Sequence, residues 1–196
     1  MTAIAGVVGY LLGSIPTATL LARLRGVDLR REGSGNPGTV NALRTKGASL
    51  AITVLVVEAA KGYAAVLAGS WIGDEAGAVA AGLGAVAGNV YNLWYQFQGG
   101  KGLGISLGVL AALWPAVILP VVVAIALGAV VSRSSGIASL VAVAALIALA
   151  YLWLANEWPT GGVAPSTQLI VLAVGIGLII SWKHWQAARV TSLARH

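Results

Sequence analysis

Cysteine is absent from this 196-residue chain. That excludes a disulfide framework, a thiol nucleophile and any Cys-based metal site. Histidine is nearly absent too: His184 and His196 are too few for a His-cluster metal site. Charge is scarce, at 9% of residues against about 25% in a soluble domain, which is too little to tile a water-facing surface. Hydrophobic residues fill the chain instead, at 58%, with a mean hydropathy of +0.88. The expected fold class is an all-α integral membrane protein, forming a single membrane domain over 1–196 with no linker. No convincing internal repeat is visible, which weakens an inverted-repeat transporter reading. The net charge of +6 would suit a nucleic-acid binder. In a membrane protein it reads instead as basic loops on the cytoplasmic side, so no nucleic-acid partner is expected. The N-terminal segment lacks a basic n-region and a small-residue cleavage site, so no cleavable signal peptide is expected.

The apolar runs lie at roughly 2–22, 48–70, 76–97, 102–131, 137–155 and 167–182. A span needs about 20 helical residues to cross a core about 30 Å thick. The fourth run would reach about 45 Å as one helix. It contains Trp114-Pro115, and proline disfavours helical geometry in the residue before it. Splitting it near 102–113 and 115–131 predicts seven transmembrane helices, two of them short. With seven spans, Arg23, Arg25, Arg30, Arg31, Arg44, Lys46, Lys101, Arg133, Lys183, Arg189 and Arg195 all fall on one side. Asp74, Glu75 and Glu157 fall on the other. With six spans no orientation achieves this. The N-terminus is then outside and the C-terminus cytoplasmic. Gly69 with Gly73, and Gly84 with Gly88, are spaced for close helix packing. Most tryptophans, including Trp94, Trp114, Trp153, Trp158, Trp182 and Trp185, fall near span ends and read as an aromatic belt.

Three features exceed what a packed bundle needs. Gly33-Ser34-Gly35-Asn36-Pro37-Gly38 lies in the first cytoplasmic loop. Its glycines permit positive-φ turns whose N–H groups form an anion nest. Ser34, Asn36, Thr39 and Asn41 add side-chain donors, and Arg44 adds a planar cation suited to phosphate. The pattern is neither a P-loop nor a dinucleotide fingerprint. Gly99-Gly100-Lys101-Gly102 forms a second such loop on the same side, although alone Lys101 reads as an interfacial lysine. Glu58 and Lys61 sit three apart within a span and share a helix face. They form either a register-holding pair or the back of a polar site. His184, beside Lys183 at a span end, is either a satisfied interfacial histidine or a contact to phosphate or hydroxyl.

Gly13-Ser14-Ile15-Pro16-Thr17, Leu20-Leu21-Ala22-Arg23 and the run at 33–44 resemble the first motif of the bacterial acyl-phosphate:glycerol-3-phosphate acyltransferases, the PlsY type. Glu58 with Lys61-Gly62 resembles the second motif, and Gly88 to Gly104 the third. The stretch at 132–140 and Trp182-Lys183-His184 are also similar. The resemblance implies seven helices with a site on the cytoplasmic face. It implies transfer of an acyl chain from acyl phosphate to the 1-hydroxyl of glycerol 3-phosphate, giving lysophosphatidic acid in phospholipid biosynthesis, without cofactor, metal or CoA thioester. The partners implied are these two substrates and membrane lipids, in the bacterial cytoplasmic membrane. Ser34, Asn36, Arg44 and Lys101 would be catalytic. Gly33, Gly35, Gly38, Thr39, Asn41, Lys61, Gly99, Gly100, Gly102 and His184 would bind substrate.

The chain departs from the motif pattern at defined positions. Gly88-Asn89-Val90-Tyr91-Asn92 stands where the third motif begins Gly-His-x-Phe-Pro, and Gln98 stands where a lysine is usual. Thr39-Val40-Asn41 replaces Ala-Thr-Asn, Gly136 replaces a serine and Ala187 an asparagine. The last two bear on acceptor binding. A non-catalytic or altered-acceptor paralogue that binds lipid phosphate, and a small anion transporter, are the alternative readings.

Overall fold

The computed structural model describes the backbone of residues 1–193 and the side chains of residues 1–185. The side chains of Ala187 and Arg189, and residues Arg195 and His196, lie outside the described residues. The described chain is helical: α1 (Thr2–Ser14), α2 (Thr17–Leu24), α3 (Thr39–Lys46), α4 (Ala48–Val90), α5 (Leu103–Leu113), α6 (Ile118–Ser132), α7 (Ser135–Asn156) and α8 (Thr167–Leu193). Five stretches are long and apolar enough to cross a membrane: Thr2–Leu24, Ala48–Tyr95, Pro115–Ser132, Ser135–Asn156 and Thr167–Trp185. α5 is apolar but shorter. The chain divides into two compact units, 1–112 and 113–196.

In the first unit, α4 is too long to be one span. Its 43 residues would extend about 65 Å as a straight helix. It breaks at Gly73 and at Asp74, which has φ 53° and ψ −144°. The two arms fold back on each other, with Gly69 against Gly77 and Ala81. Gly73 is thus a hinge residue rather than the packing partner its spacing from Gly69 predicted. α1 packs on the second arm at backbone contact distance: a Cβ on Gly13 would overlap the Ala85 carbonyl, and one on Gly88 that of Tyr10. α5 lies on the first arm, where Gly62 meets the Ile105 carbonyl and Gly108 that of Ala59. Close approach through small residues replaces the hydrophobic drive that lipid cannot supply. The large apolar side chains face outward, as at Val7, Leu11, Ile52 and Val56. Beneath the cytoplasmic loop expected from the sequence, Ala22, Val27, Leu29, Ala42 and Leu50 form a small buried cluster that ties α2 and α3 to the start of α4.

In the second unit, α7 packs against α6 and α8. Ser134 caps α7, its Oγ accepting from Ile137 N at 3.4 Å. The loop after α7 returns to the break before α6: Ala116 N donates to Thr160 O and Val163 N to Leu113 O, each at 2.9 Å.

The break expected at Trp114-Pro115 is present, with Trp114 at φ −149° and ψ 65°. Three other expectations need correction. The first run is two helices, because Pro16 lacks an N–H and the chain turns at Ile15. The third run is helical only to Val90. Residues 91–101 form a 3-10 turn and a loop, with Gln96 and Phe97 at φ 52° and 61°. Trp114 is no belt residue: it is fully buried and stacks edge-on against Trp153 at 5.4 Å.

Candidate active site

The residues of the first glycine loop are placed by turns on either side of it. Asp28 organises the approach: its carboxylate accepts from Arg30 N at 3.0 Å, and its carbonyl accepts from Arg31 N and Glu32 N at 2.9 Å. Gly33 and Gly35 then take φ 61° and 70°, which only glycine adopts without strain. Asn41, on α3, reaches back under this turn. Its Oδ1 accepts from Ser34 N at 2.8 Å, and its Nδ2 donates to Leu29 O at 2.9 Å and Glu32 O at 3.0 Å. Asn41 is buried. It was expected as a donor to substrate, and it is instead the brace of the loop, with its polar atoms satisfied by protein. Ser34 and Gly35 are exposed above it, and Asn36, Gly38 and Thr39 are half-buried. Gly38 leads into α3 with no side-chain cap, so the first N–H groups of that helix face the loop.

The second loop meets the first. Gly100 lies against Pro37, close enough that a Cβ on it would stand 3.4 Å from the Pro37 carbonyl oxygen. Arg30 crosses the seam: Nη1 donates to Gln98 O at 2.8 Å, and the guanidinium stacks 4.2 Å from the Tyr95 ring centre. A shallow recess opens here, lined by Ile15, Pro16, Pro37, Tyr95, Glu58 and Asn89 among others. Lys101 is half-buried, while Gly99, Gly100 and Gly102 are buried. Burial pushes the Lys101 ammonium below its ordinary value of 10.5, and the positive charge of Arg44 adds to that fall. Two cations close enough to disfavour each other thus lie beside two turns rich in N–H groups.

Glu58 lines the recess and Lys61 lies behind it. Lys61 Nζ bonds Glu58 at 3.0 Å, Ile15 O at 2.8 Å and Thr17 Oγ1 at 3.3 Å. Lys61 was expected to bind substrate, yet its three donor positions are spent on protein groups and it is buried, so it braces the site from behind. The Glu58 carboxylate also accepts from Thr17 Oγ1 and, at 2.6 Å, from Asn89 Nδ2. His184 belongs to the second unit, buried on α8. Gly136, also in that unit, is buried in the first turn of α7. Among the described residues no group of three or more His, Cys, Asp or Glu could hold a metal ion.

The structure thus brings Ser34, Asn36, Arg44 and Lys101 into one unit with the glycines of both loops. Sequence reasoning missed Arg30, Thr17 and Tyr95. Arg30 carried a signal only as one more cytoplasmic charge, because its partners lie more than sixty residues away.

Comparison with known proteins bears on the whole chain. The family model described as "Glycerol-3-phosphate acyltransferase" matches residues 3–191. The glycerol-3-phosphate acyltransferase of Sinorhizobium medicae (strain WSM419) is 44% identical over 180 residues, covering 91% of this chain and 82% of that protein. That of Symbiobacterium thermophilum is 37% identical over 180 residues, covering 92% and 85%. The crystal structure of PlsY (YgiH), an integral membrane glycerol 3-phosphate acyltransferase, in its glycerol 3-phosphate form, superposes with a TM-score of 0.80 at 27% identity, covering 100% of this chain and 94% of that one. Its lysophosphatidic acid form gives 0.78 at 25% identity, covering 100% and 93%.

Proposed function

The chain belongs to the glycerol-3-phosphate acyltransferase family, and from that premise we propose how its site works. It is a membrane-embedded acyltransferase that acylates glycerol 3-phosphate to lysophosphatidic acid, a step of phospholipid biosynthesis. We infer that the donor is acyl phosphate and that the acceptor oxygen is the 1-hydroxyl. That oxygen attacks the acyl carbonyl carbon, the bond from that carbon to the phosphate oxygen breaks, and inorganic phosphate leaves. The hydroxyl proton passes to a phosphate oxygen, so no side-chain base is required. The protein's part is positioning and charge stabilisation, which suffice for so good a leaving group.

In this reading Ser34, Asn36 and the N–H groups of Gly33, Gly35, Gly38 and Thr39 cradle one phosphate. Lys101, with Gly99, Gly100 and Gly102, faces the negative charge that develops on the donor, and Arg44 holds a second anionic group. The single observation that carries the proposal is the meeting of both glycine loops at Gly100 and Pro37, with Arg44 close enough to depress Lys101. We further propose that 1–196 acts as one membrane domain crossing a bacterial cytoplasmic membrane seven times, N-terminus outside. The continuous family match and the helix breaks at Gly73–Asp74 and Trp114-Pro115 support this.

The test is an acyl-transfer assay with palmitoyl phosphate and glycerol 3-phosphate. Wild-type protein yields lysophosphatidic acid, and Arg44→Ala and Lys101→Ala each lose about 100-fold or more in kcat/KM. Near-normal rates in both variants would place the site elsewhere.

A further inference from the structure

Glu58 and Lys61 are more elaborately bonded than a register-holding ion pair requires. The carboxylate takes three donors from three parts of the chain: Lys61 on its own helix, Thr17 at the start of α2, and Asn89 at the end of the second α4 arm. Lys61 also holds the carbonyl of Ile15, the non-helical residue before Pro16. The pair therefore grips the α1–α2 turn, from which the chain runs through α2 into the 33–38 loop.

The other side of the joint leads to Lys101. Asn89 gives its side-chain amide to Glu58 and its own carbonyl to Gly100 N at 2.9 Å. Val90 O takes Gly99 N at 3.0 Å. The two residues before Lys101 thus hang on the peptide groups of Asn89 and Val90. They wrap that end of α4 so closely that a Cβ on Gly99 would overlap the Asn89 carbonyl, and one on Gly100 would stand 3.0 Å from Asn89 Oδ1. Asn89 therefore holds Glu58 through its side chain and the segment before Lys101 through its backbone carbonyl.

We propose that Glu58, Lys61 and Asn89 form a positioning joint that sets the Lys101 loop against the 33–38 loop, so that turnover depends on side chains that do not touch substrate. Asn89 is its coupling element, being the one member that binds both the buried carboxylate and the loop. This rests on the catalytic role proposed for Lys101. A pair that only neutralised charge would leave the loop insensitive to Asn89.

The test uses the full chain in lipid nanodiscs, with Asn89→Ala, Asn89→Asp and Asn89→His. The aspartate has the same size but no donor, and it faces Glu58 with a second carboxylate; the histidine restores an N–H. Palmitoyl phosphate and glycerol 3-phosphate are the substrates, and hydrogen exchange of a peptide covering 98–103 is read in parallel. In Asn89→Ala and Asn89→Asp, kcat falls about 100-fold with KM changing far less, the effect of a misplaced rather than a missing group. Exchange at 98–103 speeds up, while the thermal midpoint stays close to wild type. Asn89→His recovers most of the rate. Folded Asn89→Ala with unchanged kcat and unchanged exchange would overturn the joint, as would unfolding of both Asn89→Ala and Asn89→Asp, which would make the role purely structural. If wild-type protein itself produced no lysophosphatidic acid, the catalytic reading would fail instead, and the exchange measurement would still decide whether Asn89 holds the loop.

Discussion

Arg44 and Lys101 repel each other, and the repulsion has a measurable sign. Burial and then Arg44 lower the Lys101 ammonium from 10.5. As pH rises through that lowered value Lys101 loses its charge, so kcat/KM should fall along an alkaline limb lying below the ordinary lysine range. Arg44→Ala removes the second cause, and the limb of its residual activity should move to higher pH. Lys101→Arg should abolish the limb over the accessible range, since guanidinium stays charged. The linkage runs the same way: the charged lysine is disfavoured in the folded chain, so its contribution to stability improves as pH climbs toward 10.5. A bound anion offsets this penalty by favouring the charged form. Lys61 behaves differently, because its partner is as buried as it is. Lys61→Met leaves the Glu58 carboxylate without its cation and should cost about 3–5 kcal/mol, read from unfolding in detergent.

Packing by small residues makes the helices of the first unit unequal in their tolerance. Gly13 faces the Ala85 carbonyl with no space for a side chain, whereas a Cβ on Gly26 would meet nothing within 4 Å. Gly13→Leu should therefore separate α1 from α4 and cost more than the ~1–3 kcal/mol of ordinary overpacking. Gly26→Ala carries only the strain of its φ of 73°, about 1–2 kcal/mol. Thermal unfolding of the two variants checks the order. The 28–41 segment depends on one side chain in the same way. Asn41→Ala removes three hydrogen bonds that hold the Gly33 turn and should depress activity while the α4 arms keep their helicity by circular dichroism. Helix ends with clear chemical causes were legible in the sequence: Trp114-Pro115, and the polar interval around Asp74. The turn at Pro16 carried the same signal and was hidden by the surrounding apolar run. The end of α4 at Val90 carried none, because Tyr91 to Phe97 is as apolar as the helix before it.

Absence of cysteine makes the whole molecule its own background for topology mapping. With seven crossings, Ser70→Cys and Glu157→Cys should react with a membrane-impermeant maleimide added outside intact cells. Ser49→Cys should react only after permeabilisation. Labelling of all three from one side would overturn the seven-span arrangement. In the second unit, Gly136 and Ala187 stand where the motif pattern has serine and asparagine. Gly136 is buried against its surroundings, so Gly136→Ser adds a hydroxyl in a packed turn. A lower KM for glycerol 3-phosphate in that variant would show that the position still faces the acceptor.

By itself the sequence determined the membrane class, the two glycine loops and the family. These depend on composition and on motifs contiguous in the chain, where each residue's chemistry can be read without its neighbours in space. Only the tertiary structure decided that the two loops share a seam at Pro37 and Gly100, that Arg30 crosses it, and that Asn41 and Lys61 spend their donors on protein groups. Most of those facts are contacts between groups more than forty residues apart. A donor's role is set by which acceptor lies within about 3 Å of it, and one-dimensional order does not encode that distance until the chain has folded.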